Sequence, residues 1–113
     1  MRKIRTEEIE QAVYELAKKA CLNLTPDCVK AIENAAISET GESAKFSLDT
    51  ILENARIAAR ENMPVCQDTG MSVILAEIGQ DVVFEGGLFT DAVNRGVRRA
   101  YEDFCFRKSV CDP

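Results

Sequence analysis

Residues 63–70, Met-Pro-Val-Cys-Gln-Asp-Thr-Gly, read as a breaker-rich loop in which one thiol is followed directly by an amide, a carboxylate, a hydroxyl and a glycine. Pro64 has no backbone donor, and the residue before a proline avoids helical angles. Gly70 closes the stretch, and its absent side chain predicts a positive φ there. Everything upstream has helical spacing. The downstream part begins with a β-like run and returns to helix.

Upstream, Thr6 precedes Glu7 and Glu8, a cap followed by acidic residues in a first turn. Ile9, Val13, Leu16, Ala17 and Ala20 then form one apolar stripe. Thr25-Pro26 is a second start signal, a cap followed by proline at the first helical position. Val29, Ile32, Ala35 and Ala36 carry that helix to about Ser38. Gly41-Glu42-Ser43 reads as a loop, and Ser47 as the start of a third helix. Its apolar residues are Leu48, Ile51, Leu52, Ala55, Ile57, Ala58 and Ala59, and Pro64 ends it.

Downstream, Met71 to Ile78 is apolar on both faces and predicts a covered strand. Gly79-Gln80-Asp81 looks like a turn and Val82-Val83-Phe84 a return strand, which together make a β-hairpin. After Gly86-Gly87 a fourth helix runs from about Leu88 to Phe104. It presents Ala92, Val93, Val97, Ala100, Tyr101 and Phe104 inward. Gly96 inside that helix costs about 1 kcal/mol against alanine, so its presence predicts close packing. The expected fold class is α+β: a helix-rich segment of about four helices and a hairpin, an incomplete part of a larger domain, with no internal boundary over 1–113.

The composition narrows the chemistry. The 113 residues include no histidine and five cysteines, and the net charge is −5. Without histidine there is no Cys-His or Ser-His catalysis and no Cys/His zinc finger within the chain. The acidic balance argues against nucleic acid. No apolar run is long enough to span a bilayer. The first residues lack a signal peptide's apolar region, so a cytoplasmic protein without a disulfide framework is expected. Residues 95–108 reverse the charge, with Arg95, Arg98, Arg99, Arg107 and Lys108 against Glu102 and Asp103. That basic end could attract a small anion or form one solvated helix face.

Cys66 stands out because a loop presents it among polar groups. The negative charge of Asp68 beside it would oppose a thiolate, which disfavours a nucleophile. A metal ligand and a structural thiol both remain open, since a bound cation deprotonates a thiol outright. Gln67 and Asp68 read either as substrate groups or as turn formers. Arg107 reads either as a carboxylate clamp or as an exposed arginine past a helix end. Cys21, Cys28 and Cys105 read as packing thiols.

Three stretches then combine: Ala59-Arg60-Glu61-Asn62-Met63-Pro64-Val65-Cys66-Gln67-Asp68-Thr69-Gly70, Asp91-Ala92-Val93-Asn94-Arg95-Gly96-Val97 and Phe106-Arg107-Lys108-Ser109. Together they resemble the N-terminal part of the class I fumarase family, which includes iron–sulfur fumarate hydratases and L-tartrate dehydratases. The chain looks most like the alpha subunit of a two-subunit bacterial enzyme. The resemblance implies a four-iron four-sulfur (4Fe-4S) cluster held by three cysteines, of which Cys66 matches the first. One iron, without a protein ligand, would act as a Lewis acid on a small dicarboxylate. Gln67, Asp68 and Arg107 match substrate-contacting positions.

In the family the other two cluster cysteines lie further along the chain, so Cys105 and Cys111 do not match them. The expected partners are the remaining alpha-subunit segment and a beta subunit, in an oligomer. The 113 residues alone are expected to be inactive and without a cluster. The implied reaction is the reversible hydration of fumarate to malate. The rival readings are an L-tartrate dehydratase part and a truncated assembly or interaction module without catalysis.

Overall fold

A computed structural model describes residues 1–66 and 69–110. Its elements are strand β1 (Arg2–Arg5), helices α1 (Thr6–Leu22), α2 (Pro26–Ser38) and α3 (Glu42–Glu61), strand β2 (Val82–Glu85) and helix α4 (Phe89–Asp103). They gather into two compact units, one of residues 1–18 and 68–113, the other of residues 19–67.

In the first unit the chain makes a parallel pair where a hairpin was expected. β2 pairs with β1 in the register Arg2↔Val82, Lys3↔Val83, Ile4↔Phe84 and Arg5↔Glu85. A parallel pair needs a long crossover, and here residues 6–81 supply it. The Gly79–Asp81 turn does form, closed by the Val82 N–H donating to the Gly79 carbonyl at 3.2 Å. However, residues 71–78 join no ladder among the described residues. The paired edge of β2 is taken by a charged tetrad, Arg-Lys-Ile-Arg, which carries no strand pattern of its own. Register comes instead from Arg2 N–H on the Asp81 carbonyl at 2.8 Å and from an ion pair of Lys3 Nζ with Glu85 Oε1 at 2.6 Å. Met71, Val73 and Leu75, expected to be covered, are exposed, Leu75 by 94%.

The helical packing of this unit rests on small residues. Ala92 and Ala100 are fully buried, and Gly96 lies between them at four-residue spacing. A Cβ on Gly96 would come within 2.6 Å of the Glu10 carbonyl and 2.9 Å of Val13 Cβ. The missing side chain therefore lets α4 lie directly on α1, as its propensity cost suggested. Charges frame the contact. Glu10 receives Arg95 Nε at 2.8 Å and Arg99 Nη1 at 2.9 Å. Arg95 first, then Arg99, hold its carboxyl below the usual range. Arg99 also lies over the Tyr14 ring, 4.2 Å from its centroid.

Thr6 does not cap α1. It is the first helical residue, and its hydroxyl is fully buried with no hydrogen-bond partner among the described residues. It packs against Gly86, whose φ is +98° and where a Cβ would lie 2.8 Å from Thr6 Oγ1.

The second unit is built around a helical hairpin. α2 starts at Pro26 as its sequence predicts, and α2 and α3 pack together across the connection 39–41. Glu39 Oε1 tightens that connection by accepting the N–H groups of Thr40 at 2.9 Å and Gly41 at 2.7 Å. α3 begins five residues earlier than expected, after Gly41. Ser47 is therefore inside the helix, and its hydroxyl donates to the Ser43 carbonyl one turn back at 3.0 Å. Leu22, Ala36, Leu52, Ala58 and Val65 are buried. Ile51, Ile57 and Ala59 are exposed, against expectation. No helix among the described residues is long and apolar enough to cross a membrane.

Two substitutions test this packing. Gly96→Val should destabilise the chain by about 2 kcal/mol, because the backbone clash outweighs the roughly 0.4 kcal/mol gained in helix propensity. An unchanged urea midpoint would mean that α1 and α4 do not touch at Gly96. Thr6→Val replaces a buried hydroxyl that has no partner, and should raise stability by about 1 kcal/mol. A lower melting temperature would show that the hydroxyl is bonded after all.

Candidate functional site

α3 ends at a residue in left-handed geometry, Asn62, with φ 53° and ψ 43°. The N–H groups of Asn62 and Met63 both return to the Ala58 carbonyl, the latter at 3.0 Å. This Schellman-type ending satisfies the last turn, and Pro64 directly after it prevents continuation. Val65 is buried and donates its N–H to the Cys21 carbonyl at 2.9 Å. Cys66 follows with its N–H on Asn54 Oδ1 at 3.0 Å, and the residue itself is exposed. The backbone at Val65 and Cys66 is therefore fixed, and the thiol is presented. Gln67 and Asp68, expected to touch substrate, lie outside the described residues, and so does Cys111.

Arg107 is reached from the end of α4 in the first unit. Cys105 has φ 53°, another left-handed residue that is not glycine. The Phe106 N–H returns to the Tyr101 carbonyl at 3.1 Å, and the Phe104 N–H to Ala100 at 3.1 Å. Phe106 folds back edge-on against the Tyr101 ring, with centroids 5.4 Å apart. That is the apolar contact expected of a Schellman ending. Arg107 comes next, exposed, and its carbonyl accepts the Thr69 hydroxyl at 3.1 Å. Thr69 is buried. Its carbonyl receives the Tyr101 hydroxyl, which also meets Ser72 Oγ at 3.1 Å.

Gly70 does not adopt a positive φ. Its need for glycine is steric, since a Cβ there would lie 2.8 Å from the Ser109 nitrogen. The segment after Asp68 and the segment carrying Arg107 thus run in contact. Cys66 belongs to the other unit.

The remaining thiols differ from expectation. Cys28 and Cys105 are exposed rather than packed, and Cys21 is half-buried, with burial pushing its thiol pKa up. Cys105 faces out because the left-handed turn lifts it off the apolar face of α4. No group of three or more Cys, Asp or Glu placed to hold a metal ion occurs among the described residues. An iron–sulfur cluster therefore fits this donor set in part. Cys66 offers one exposed, soft donor on a fixed backbone, and any further ligands would come from elsewhere.

Sequence reasoning missed Asn54 and the polar roles of Thr69 and Tyr101. A signal for Asn54 was present, since it is an amide among the apolar residues of α3. For Tyr101 the signal was an inward tyrosine, whose hydroxyl needs a partner when buried.

Comparison with known proteins places these features in a family. The description of fumarate hydratase (Fumerase) matches residues 10–113. A protein of Methanocaldococcus jannaschii, named as a candidate L(+)-tartrate dehydratase subunit alpha, is 33% identical over 107 residues, covering 94% of this chain and 38% of that protein. The aerobic class I fumarate hydratase of Escherichia coli is 40% identical over 75 residues, covering 66% of this chain and 14% of that enzyme. The mitochondrial fumarate hydratase 1 of Leishmania major is 37% identical over 71 residues, covering 63% and 13%. The chain thus spans less than two fifths of the length of each of these relatives. With the match running through both helix ends and the Cys66 loop, the chain belongs to the fumarate hydratase (Fumerase) family.

Proposed function

We propose that this chain forms the N-terminal part of an iron–sulfur hydro-lyase that adds or removes water on a small dicarboxylate. Fumarate and malate are the favoured pair, and L-tartrate belongs to the same chemical class. The observation that carries the proposal is the presentation of Cys66, exposed on a loop whose backbone is pinned at Val65 and at Cys66 itself. A structural thiol needs no such presentation, whereas a ligand to a soft metal centre does. The family membership and the names of the relatives support the reaction class.

In this reading Cys66 supplies one thiolate. Arg107 holds a substrate carboxylate through its planar pair of donors. Gln67 and Asp68 contact the substrate beside it. A four-iron four-sulfur cluster, when bound, supplies a Lewis-acidic iron that makes the hydroxyl a better leaving group. The remaining ligands and the catalytic base come from the rest of the alpha subunit and from a beta subunit, so the 113 residues alone hold no cluster and turn over nothing. The protein works in the cytoplasm.

A second reading is a non-catalytic assembly module. Exposed Val73 (79%) and Leu75 (94%), in a segment that joins no ladder among the described residues, favour it.

Cys66→Ser in the assembled enzyme should abolish both stoichiometric iron and sulfide and all hydro-lyase turnover, since serine is a harder and poorer ligand for such a cluster. Retained cluster and activity would refute the ligand role. Sedimentation of the chain by itself addresses the second reading: an assembly module predicts concentration-dependent self-association, and a clean monomer counts against it.

A further inference from the structure

We propose that Tyr101 is a positioning residue for the substrate-binding segments, acting through its hydroxyl rather than its ring. The ring alone would satisfy the core: Tyr101 is only 8% exposed and packs edge-on against Phe106. A phenylalanine would do that without the cost of burying a hydroxyl. The hydroxyl instead donates to the Thr69 carbonyl and accepts from Ser72 Oγ, 3.1 Å away. One phenolic hydrogen and its oxygen lone pairs serve both partners.

These bonds close a ring of contacts. The Tyr101 carbonyl holds the Phe106 N–H at 3.1 Å. Arg107 follows Phe106, and its carbonyl accepts Thr69 Oγ1 at 3.1 Å. The Thr69 carbonyl leads back to the Tyr101 hydroxyl. Gly70 then sits against Ser109 with no room for a side chain. Every residue held this way is within two positions of Arg107 or of Asp68, except Ser72. One tyrosine on α4 therefore fixes the backbone of Arg107 and the backbone just after Asp68 relative to each other.

The ring sets substrate affinity more than chemistry. A carboxylate held by Arg107 is held in ground state and transition state alike, so loosening the segment should raise KM and spare kcat. This arm rests on the hydro-lyase reading above.

The experiment compares wild type with Tyr101→Phe, which keeps the ring. Hydrogen–deuterium exchange on the chain should quicken about fivefold over residues 69–72 and 106–109, matching the loss of a bond worth ~1 kcal/mol, with α2 and α3 unchanged. In the assembled enzyme KM for the dicarboxylate should rise about tenfold while kcat stays within about twofold. Thr69→Val, which breaks the ring at another link, should give the same pattern and serves if Tyr101→Phe does not fold. Unchanged exchange in both segments, a uniform rise across the chain, or a fall in kcat at constant KM would each overturn the proposal. If wild-type assembly shows no hydro-lyase turnover, the hydro-lyase reading fails, while the exchange data still decide the role of Tyr101.

Discussion

Asn62 and Cys105 each carry a left-handed backbone at the end of a helix, and the presentation of both candidate segments depends on those two residues. An α-helix leaves its last carbonyls without partners, and reversing the chain there lets following N–H groups satisfy them. The reversal also decides what comes next in space. After Asn62 the chain turns into Pro64, Val65 and Cys66. After Cys105 it turns into Phe106 and Arg107. Glycine is the usual residue for this geometry, and asparagine is the best tolerated alternative. Cysteine has no such tolerance, so Cys105 holds its φ of 53° against a steric cost. The apolar contact of Phe106 with Tyr101 and the Phe106 N–H bond oppose that cost.

Each reversal is then reinforced by a side chain from its own helix. Asn54 on α3 takes the Cys66 N–H, and Tyr101 on α4 takes the Thr69 carbonyl. Both supports come from rigid elements and act on backbone groups, so they fix the direction of the chain at those points. The electrostatics follow the same division. Glu10 is committed to Arg95 and Arg99, so those two arginines serve the packing of α4 on α1. Of the basic residues near that end of the chain, Arg107 and Lys108 lie beyond the helix, and the Arg107 carbonyl meets Thr69 in the segment after Asp68.

Much of this was legible in the sequence where local chemistry decides the outcome. Pro26 marked the start of α2, Pro64 marked the exit from α3, and Gly96 announced the close approach of α4. The loop at Cys66 was visible because breakers flank a lone thiol. Failures came where partners distant in sequence decide. β1 has a charged sequence without alternation, and only its pairing with β2, some eighty residues away, makes it a strand. The run 71–78 has the composition of a strand but no partner among the described residues, and pattern alone cannot supply one. Thr6 looked like a cap because caps are read from neighbours, yet its hydroxyl is turned into the contact with Gly86. Gly70 was expected to bend the backbone, but a facing segment of the chain is what excludes its Cβ.

The proposed chemistry stands on one donor atom, Cys66 Sγ, and on its bond to iron in the complete enzyme. Anomalous diffraction at the iron edge, from crystals of the whole assembly grown without oxygen, looks at that bond directly. The predicted result is an iron peak at bonding distance from Cys66 Sγ. Iron density remote from Cys66, or no iron in an assembly that still turns over dicarboxylate, would contradict it.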